Sequence, residues 1–115
     1  MPKVLVLEDD PWRQNWFGAK FKDVVPCLMV GEALEALATQ EFDLIFLDHD
    51  LRTEPAVGRD VAQWLCENPE AQRTAAIIVH SVNLVSAHKM YMELHLAGRM
   101  VSVMPIHVLM DVCGG

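Results

Sequence analysis

The sequence predicts an α/β domain of three layers, helix on sheet on helix, and two observations carry that prediction. Short runs of branched apolar residues alternate with stretches of helical periodicity from one end of the chain to the other, which is the pattern of βαβ units feeding a parallel sheet. The runs are continuously apolar instead of alternating, as strands covered on both faces are. A length of 115 residues with 52% hydrophobic side chains suits one domain spanning residues 1–115 with an ample core.

Val4 to Leu7 reads as the first strand, closed by Glu8, Asp9 and Asp10. Asp10 before Pro11 starts a helix, with a carboxylate at the cap and proline where its missing N–H costs nothing. Trp12, Trp16, Phe17 and Phe21 fall on one face of that helix and, like Trp64 further on, are expected in the core. Trp12 follows Asp10 with only Pro11 between, so bordering a nucleobase is the other reading for it.

Val24 to Val30 reads as the second strand, Glu32 to Thr39 as a helix, and Leu44 to Leu47 as the third strand, ending in Asp48, His49 and Asp50. A loop from Arg52 to Gly58 leads to a helix from about Asp60 to Glu67, stopped by Asn68 and Pro69. Ala76 to Val79 is the fourth strand and runs into His80 and Ser81. Ala87 to Leu96 is a helix with Gly98 just past its end. Met100 to Val103 is the fifth strand, followed by Met104 and Pro105. Ile106 to Val112 leaves room for about two turns of a short last helix.

Composition excludes several classes. The amino end has one lysine and a brief apolar run stopped by acids, unlike a signal peptide, and no apolar run has the length of a membrane span. The chain is therefore expected to be cytoplasmic, without a membrane partner. Cys27, Cys66 and Cys113 are odd in number and far apart, without a CxxC pair, and read as reduced, mostly buried thiols. A formal charge of −7 from 16 acids and 9 bases argues against a surface for duplex DNA. One phosphate group held through a metal remains compatible with that charge.

Open parallel sheets bind ligands beyond the carboxyl ends of their strands, where the connections change direction. In the flavodoxin-like order 2-1-3-4-5 the first and third strands are neighbours, so Asp9, Asp10 and Asp48 converge although far apart in sequence. Carboxylates held that close repel one another unless a proton or a cation offsets the charge. Oxygen donors of this kind suit Mg²⁺ (or Mn²⁺), which keeps waters and completes its shell with a phosphate oxygen. The alternative is that the acids cap the following helices and face water.

His49 and His80 end strands at the same edge. Nearby carboxylates favour the charged imidazole, which suits a general acid or a phosphate-binding cation, and Asp50 is placed to orient either ring. Asn83 follows His80 closely enough to donate to phosphate, as does Arg13, one helical turn past Asp10. Each has a plainer reading as well: a strand-end histidine satisfying a carbonyl, an exposed turn residue, a surface arginine. His88, His95 and His107 lack ligand spacing as a group.

The acids after strand one, DLIFLD ending strand three, a hydroxyl residue after strand four and a proline after strand five together resemble the response-regulator receiver domain. The likeness covers essentially the whole chain and implies the receiver-type fold. By that resemblance Asp9 and Asp10 match the acidic pair, Asp48 the phosphoacceptor, and Ser81 the hydroxyl contacting the phosphoryl group. Asp50 would give its backbone carbonyl to the metal. Receivers carry a lysine before the proline of strand five; here Met104 stands there, which puts ordinary phosphorelay signalling in doubt.

LDHDL at Leu47 to Leu51, GRDVAQWL at Gly58 to Leu65 and IIVHSVN at Ile77 to Asn83, together with Arg13, are similar to a narrower, receiver-like group described as cyclic-phosphate processing. Three functions are thereby in play. One is a metal-dependent phosphoesterase or sensor for cyclic phosphate on a nucleotide or RNA end, with Asp48, His49 and His80 as its reactive groups. The second is a receiver phosphorylated on Asp48 by a phosphodonor kinase. The third is a catalytically inert module for protein interaction, suggested by the short last helix.

Overall fold

The computed structural model describes residues 2–48, 57–80 and 84–112. In chain order the elements are β1 (Lys3–Leu7), α1 (Pro11–Lys20), β2 (Asp23–Cys27), α2 (Val30–Thr39), β3 (Leu44–Leu47), α3 (Val57–Glu67), β4 (Ala76–Val79), α4 (Leu84–Leu96), β5 (Met100–Val103) and α5 (Ile106–Val112). The strands form one five-stranded sheet in the order β2-β1-β3-β4-β5, every pair parallel. The expected fold class, flavodoxin-like with a short last helix, is the one observed.

Alternate residues of each strand serve opposite layers. Leu5, Leu7, Ile45, Leu47, Ile77 and Val79 pack with Ala33 and Leu37 of α2, Val61 and Leu65 of α3, and Met90 and Leu94 of α4. Val4, Val6 and Phe46 face the other way, toward Phe17 of α1 and Leu109 of α5. Both faces of the central strands are thus buried, which is why their sequences read as unbroken apolar runs. Pro26 is tolerated because β2 lies at the sheet edge, where a missing N–H costs no ladder bond.

Several boundaries differ from the sequence reading: β1 and β2 each begin one residue earlier than expected, and α3 and α4 three residues earlier, at Val57 and Leu84. β2 ends at Cys27 instead of Val30, and α2 begins at Val30 instead of Glu32. The apolar run 27–30 looked like strand, but Leu28 and Met29 are each 48% exposed. The Glu32 carboxylate accepts from both of their backbone N–H groups at 3.1 Å, a local bond that turns the chain into the helix. Trp12, expected in the core, is 66% exposed; it sits on the first turn of α1, above the end of the sheet's cover.

The helix stops follow local chemistry. α4 ends at Leu96, two residues before Gly98, whose φ of 84° lets Arg99 N–H reach back to the Leu94 carbonyl at 3.0 Å, the paired-bond C-terminus that glycine favours. The opposite, amino-terminal edge of the sheet is tied by buried polar groups. Gln72 accepts from Phe42 N–H at 2.9 Å and donates to the carbonyls of Leu37 and Gln40. Arg99 donates to the carbonyls of Gln72, Leu65 and Asn68.

Candidate metal and phosphate site

Register builds the site. Leu7 pairs with Leu47, Leu47 with Val79 and Val79 with Val103, so the four strands end level. The ladder then continues one residue further: Asp48 N–H bonds the Leu7 carbonyl at 3.1 Å, His80 N–H the Leu47 carbonyl at 2.8 Å, and Met104 N–H the Val79 carbonyl at 2.9 Å. Glu8, Asp48, His80 and Met104 therefore form a row across the carboxyl edge.

Period two in a strand decides which way that row points. Glu8 continues the parity of Val4 and Val6, and His80 that of Ile78, so both turn toward the layer of α1. The His80 ring lies 5.3 Å from the Phe17 ring and 6.3 Å from that of Phe46, centroid to centroid. Glu8 and His80 have no exposed surface and Asp48 is 3% exposed. One donor atom from each of Glu8, Asp48 and His80 falls within 4.8 Å of the other two. Three strand ends separated in sequence thus deliver two carboxylates and an imidazole to one buried point.

The Glu8 carboxylate is the best-supported member. Its Oε2 accepts from Asp10 N–H at 3.1 Å, and its Oε1 lies 3.4 Å from Arg13 Nη1 and 3.3 Å from His80 Nε2. Burial alone pushes its pKa up, but His80, the Asp10 N–H and Asp48 together bring it below the ordinary carboxylate value. Gln14 of α1 fixes the backbone beneath: its amide donates to the carbonyls of Glu8 at 2.9 Å, Val6 at 3.1 Å and Cys27 at 3.2 Å.

The imidazole of His80 is less well supported. It reaches Glu8 at ion-pair distance but without hydrogen-bond alignment, and among the described residues neither Nδ1 nor Nε2 has a hydrogen-bond partner. Buried ring nitrogens without partners are uncommon. Two carboxylates beside such a ring are a donor set that fits a divalent cation, which would offset the repulsion between the acids.

The other expected residues fall as follows. Asp9 is half-buried beside this cluster in sequence. Asp10 caps α1, its Oδ1 accepting from Trp12 N–H at 2.9 Å and Arg13 N–H at 3.4 Å, so the helix-cap expectation holds for it. Arg13, expected to reach phosphate, is paired with Glu8. His49, Asp50, Ser81 and Asn83 lie outside the described residues. Glu8 and Gln14 were missed by the sequence reading; the alternation in Val4, Val6 and Glu8 was the signal for the first. A groove of about 550 Å³ between α1 and β2, lined by residues such as Asn15, Phe21 and Lys22, carries none of the buried triad.

Response regulators and receiver domains are among the solved structures similar to the chain. A response regulator of Burkholderia pseudomallei, with a phosphorylated aspartic acid, calcium ion and citrate, matches with a TM-score of 0.65 and 17% identity over 90% of this chain and 59% of that one. This chain thus spans about six-tenths of that protein. The receiver domain of Francisella response regulator 1452 matches with a TM-score of 0.64 and 21% identity, over 98% of this chain and 93% of that one. A response regulator receiver domain protein of Methanospirillum hungatei gives a TM-score of 0.70 at 15% identity, over 97% and 90%. At these identities the likeness concerns the fold. No curated protein matches the chain by sequence. Among the described residues no helix is long and apolar enough to cross a membrane. Residues 4–95 match the family described as the cyclic-phosphate processing receiver domain, and the chain, with the acid–histidine row at its sheet edge, belongs to that family.

Proposed function

We propose that this receiver-like domain binds a divalent metal ion at its acidic edge and, with it, opens a cyclic phosphate on a nucleotide or RNA end. The observation that supports this reading most is the buried meeting of Glu8, Asp48 and His80 in the row where Met104 takes the place of the receiver lysine. A site without that lysine is poorly equipped to stabilise a phosphorylated aspartate, whereas two carboxylates and an imidazole suit metal-assisted hydrolysis.

Glu8 and Asp48 would hold the ion, Mg²⁺ or Mn²⁺, with Asp9 and the Asp50 carbonyl alongside; Asp10 serves chiefly the helix. When bound, such an ion supplies charge that polarises a phosphoryl oxygen. The reaction adds water to phosphorus and breaks one ring P–O bond, so a proton leaves the water and one reaches the departing oxygen. His49 is assigned that exchange, taking a proton from the water and returning one to the departing oxygen, while Asp48 would stay a ligand. Ser81, Asn83 and Arg13 are assigned to the phosphate oxygens, Arg13 by swinging from Glu8. Trp12, exposed next to Asp10, is assigned to stack on a base.

The second reading is a receiver phosphorylated on Asp48 by a kinase or small phosphodonor. It is favoured by the position of Asp48 at the buried end of β3 and by the phosphorylated aspartic acid in the Burkholderia structure. The deciding measurement is ³¹P NMR of a 2′,3′-cyclic nucleotide with the protein and Mg²⁺ or Mn²⁺. A monoester formed by the wild type and not by Asp48→Asn establishes the phosphoesterase. No turnover with either metal, together with an acyl-phosphate signal after a small phosphodonor is added, transfers the function to the second reading.

A further inference from the structure

We infer that His80 is itself a metal ligand, so that the edge carries a mixed nitrogen and oxygen site for a first-row transition-metal ion such as Mn²⁺, Co²⁺ or Zn²⁺, rather than an all-oxygen Mg²⁺ site. This rests on the reading of the acidic edge as a metal site and narrows it to a class of ion.

Three observations carry the inference. The His80 ring is wholly buried, yet among the described residues both its nitrogens lack a hydrogen-bond partner. A buried imidazole whose nearest polar neighbour is a carboxylate at ion-pair distance, without hydrogen-bond alignment, recovers only part of its lost hydration, and a coordinate bond supplies the rest. One of its nitrogens, with one oxygen each from Glu8 and Asp48, already lies in a set no wider than 4.8 Å. Ligands on a common ion with bonds of about 2.1 Å sit at most ~4.2 Å apart, so the set closes on an ion with sub-ångström movements.

The surroundings are those of ligands fixed in advance. Phe17 and Phe46 border the ring of His80 and restrict its plane. Glu8 is oriented by Asp10 N–H and Arg13, the kind of outer contacts that orient metal-binding carboxylates. Register forbids His80 from turning away, because its backbone N–H is bonded to the Leu47 carbonyl at 2.8 Å. Imidazole is a borderline donor that suits zinc and its neighbours, whereas Mg²⁺ takes oxygen and keeps its waters. A ring enclosed this fully is also badly placed to exchange protons with solvent, which is why the proton transfer above is assigned to His49 instead.

The alternative is a simple ion pair, in which a protonated His80 faces Glu8 across 3.3 Å and no nitrogen touches the metal. The two are separated spectroscopically. The chain has 5 histidines; the variant His49→Gln, His88→Gln, His95→Gln, His107→Gln leaves His80 as its one imidazole while the buried triad stays intact. Loaded with less than one equivalent of Mn²⁺, this variant is expected to show nitrogen modulation in electron spin-echo spectra, retained in roughly a hundredfold excess of Mg²⁺.

Wild-type protein with ¹⁵N-labelled histidine gives a second readout that does not depend on the variant's folding. Zn²⁺ should shift the ring nitrogens of His80, and should bind at least about tenfold more tightly than Mg²⁺. Mn²⁺ binding without nitrogen modulation, or Zn²⁺ binding that leaves the His80 ring signals in place, overturns the inference and leaves the metal site of the proposed function standing. Failure of Mg²⁺, Mn²⁺ and Zn²⁺ alike to bind overturns both.

Discussion

Nε2 of His80 lies 3.3 Å from Oε1 of Glu8, and neither side chain has any exposed surface. The two residues end β4 and β1, strands that are not neighbours in the sheet, since β3 and its Asp48 lie between them. The pair therefore spans three strand ends and ties the acidic edge into one electrostatic unit.

Removing one half of that unit should be costly. Glu8→Ala leaves His80, Arg13 and the Asp10 N–H facing an apolar gap, and a loss of about 3 kcal/mol is expected. Glu8→Gln keeps the shape and one acceptor and should lose clearly less. Urea unfolding of the metal-free proteins gives both numbers; equal losses would show that charge and geometry at Glu8 do not matter separately.

Asp10 should behave as a helix cap. Its carboxylate receives two backbone N–H groups at the start of α1, so Asp10→Ala is expected to cost about 1 kcal/mol while Asp10→Asn costs only a few tenths. Thermal unfolding distinguishes them. If Asp10→Asn also abolished divalent-ion binding, the residue would have to be counted among the ligands after all.

Met104→Lys restores the cation that receivers hold at this position. Met104 is half-buried against the Phe17 and Phe46 cluster, and a lysine stem can follow the same path with its head at the edge. Acquisition of the acyl phosphate on Asp48 from a small phosphodonor, followed by mass spectrometry, should be at least about tenfold faster in the variant than in the wild type. An unchanged rate would mean that the missing lysine is not what limits phosphorylation.

The Cys27 thiol is buried, and that burial, aided by the charge of Glu32, pushes its pKa up to about 12. An acid whose folded-state pKa is raised stays protonated while the unfolded chain ionises, so its contribution to stability is present below pH ~9 and is lost as pH rises toward 12. At pH 8 only about one thiol in 10⁴ would be ionised, and alkylation of native Cys27 should be roughly a thousandfold slower than in the unfolded chain. Peptide mapping after timed iodoacetamide treatment checks this; rapid native labelling would mean that the strand end opens.

The sequence by itself determined the layered parallel architecture, the bounds of β3, β4, β5 and α5, and the edge at which the acids and His80 gather. It did so because continuous apolar runs, caps and breakers act locally, and because the carboxyl end of every parallel strand faces the same way. It also placed Asp10 as a cap, since a carboxylate before proline satisfies its own helix. Only the tertiary structure decided which acid turns inward. Glu8, Asp9 and Asp10 are chemically alike in a row, and the choice fell to Glu8 through strand parity, the Gln14 bonds to its carbonyl, and a register that sets Asp48 and His80 level with it. The end of β2 was decided in the same way: Leu28 and Met29 are apolar enough for a strand, but the last ladder bond, from Glu8 N–H to the Cys27 carbonyl at 3.0 Å, stops short of them and Glu32 takes their N–H groups instead. Gln72 and Arg99 carried no local signal, because the backbone groups they bond are brought to them by the fold from distant parts of the chain.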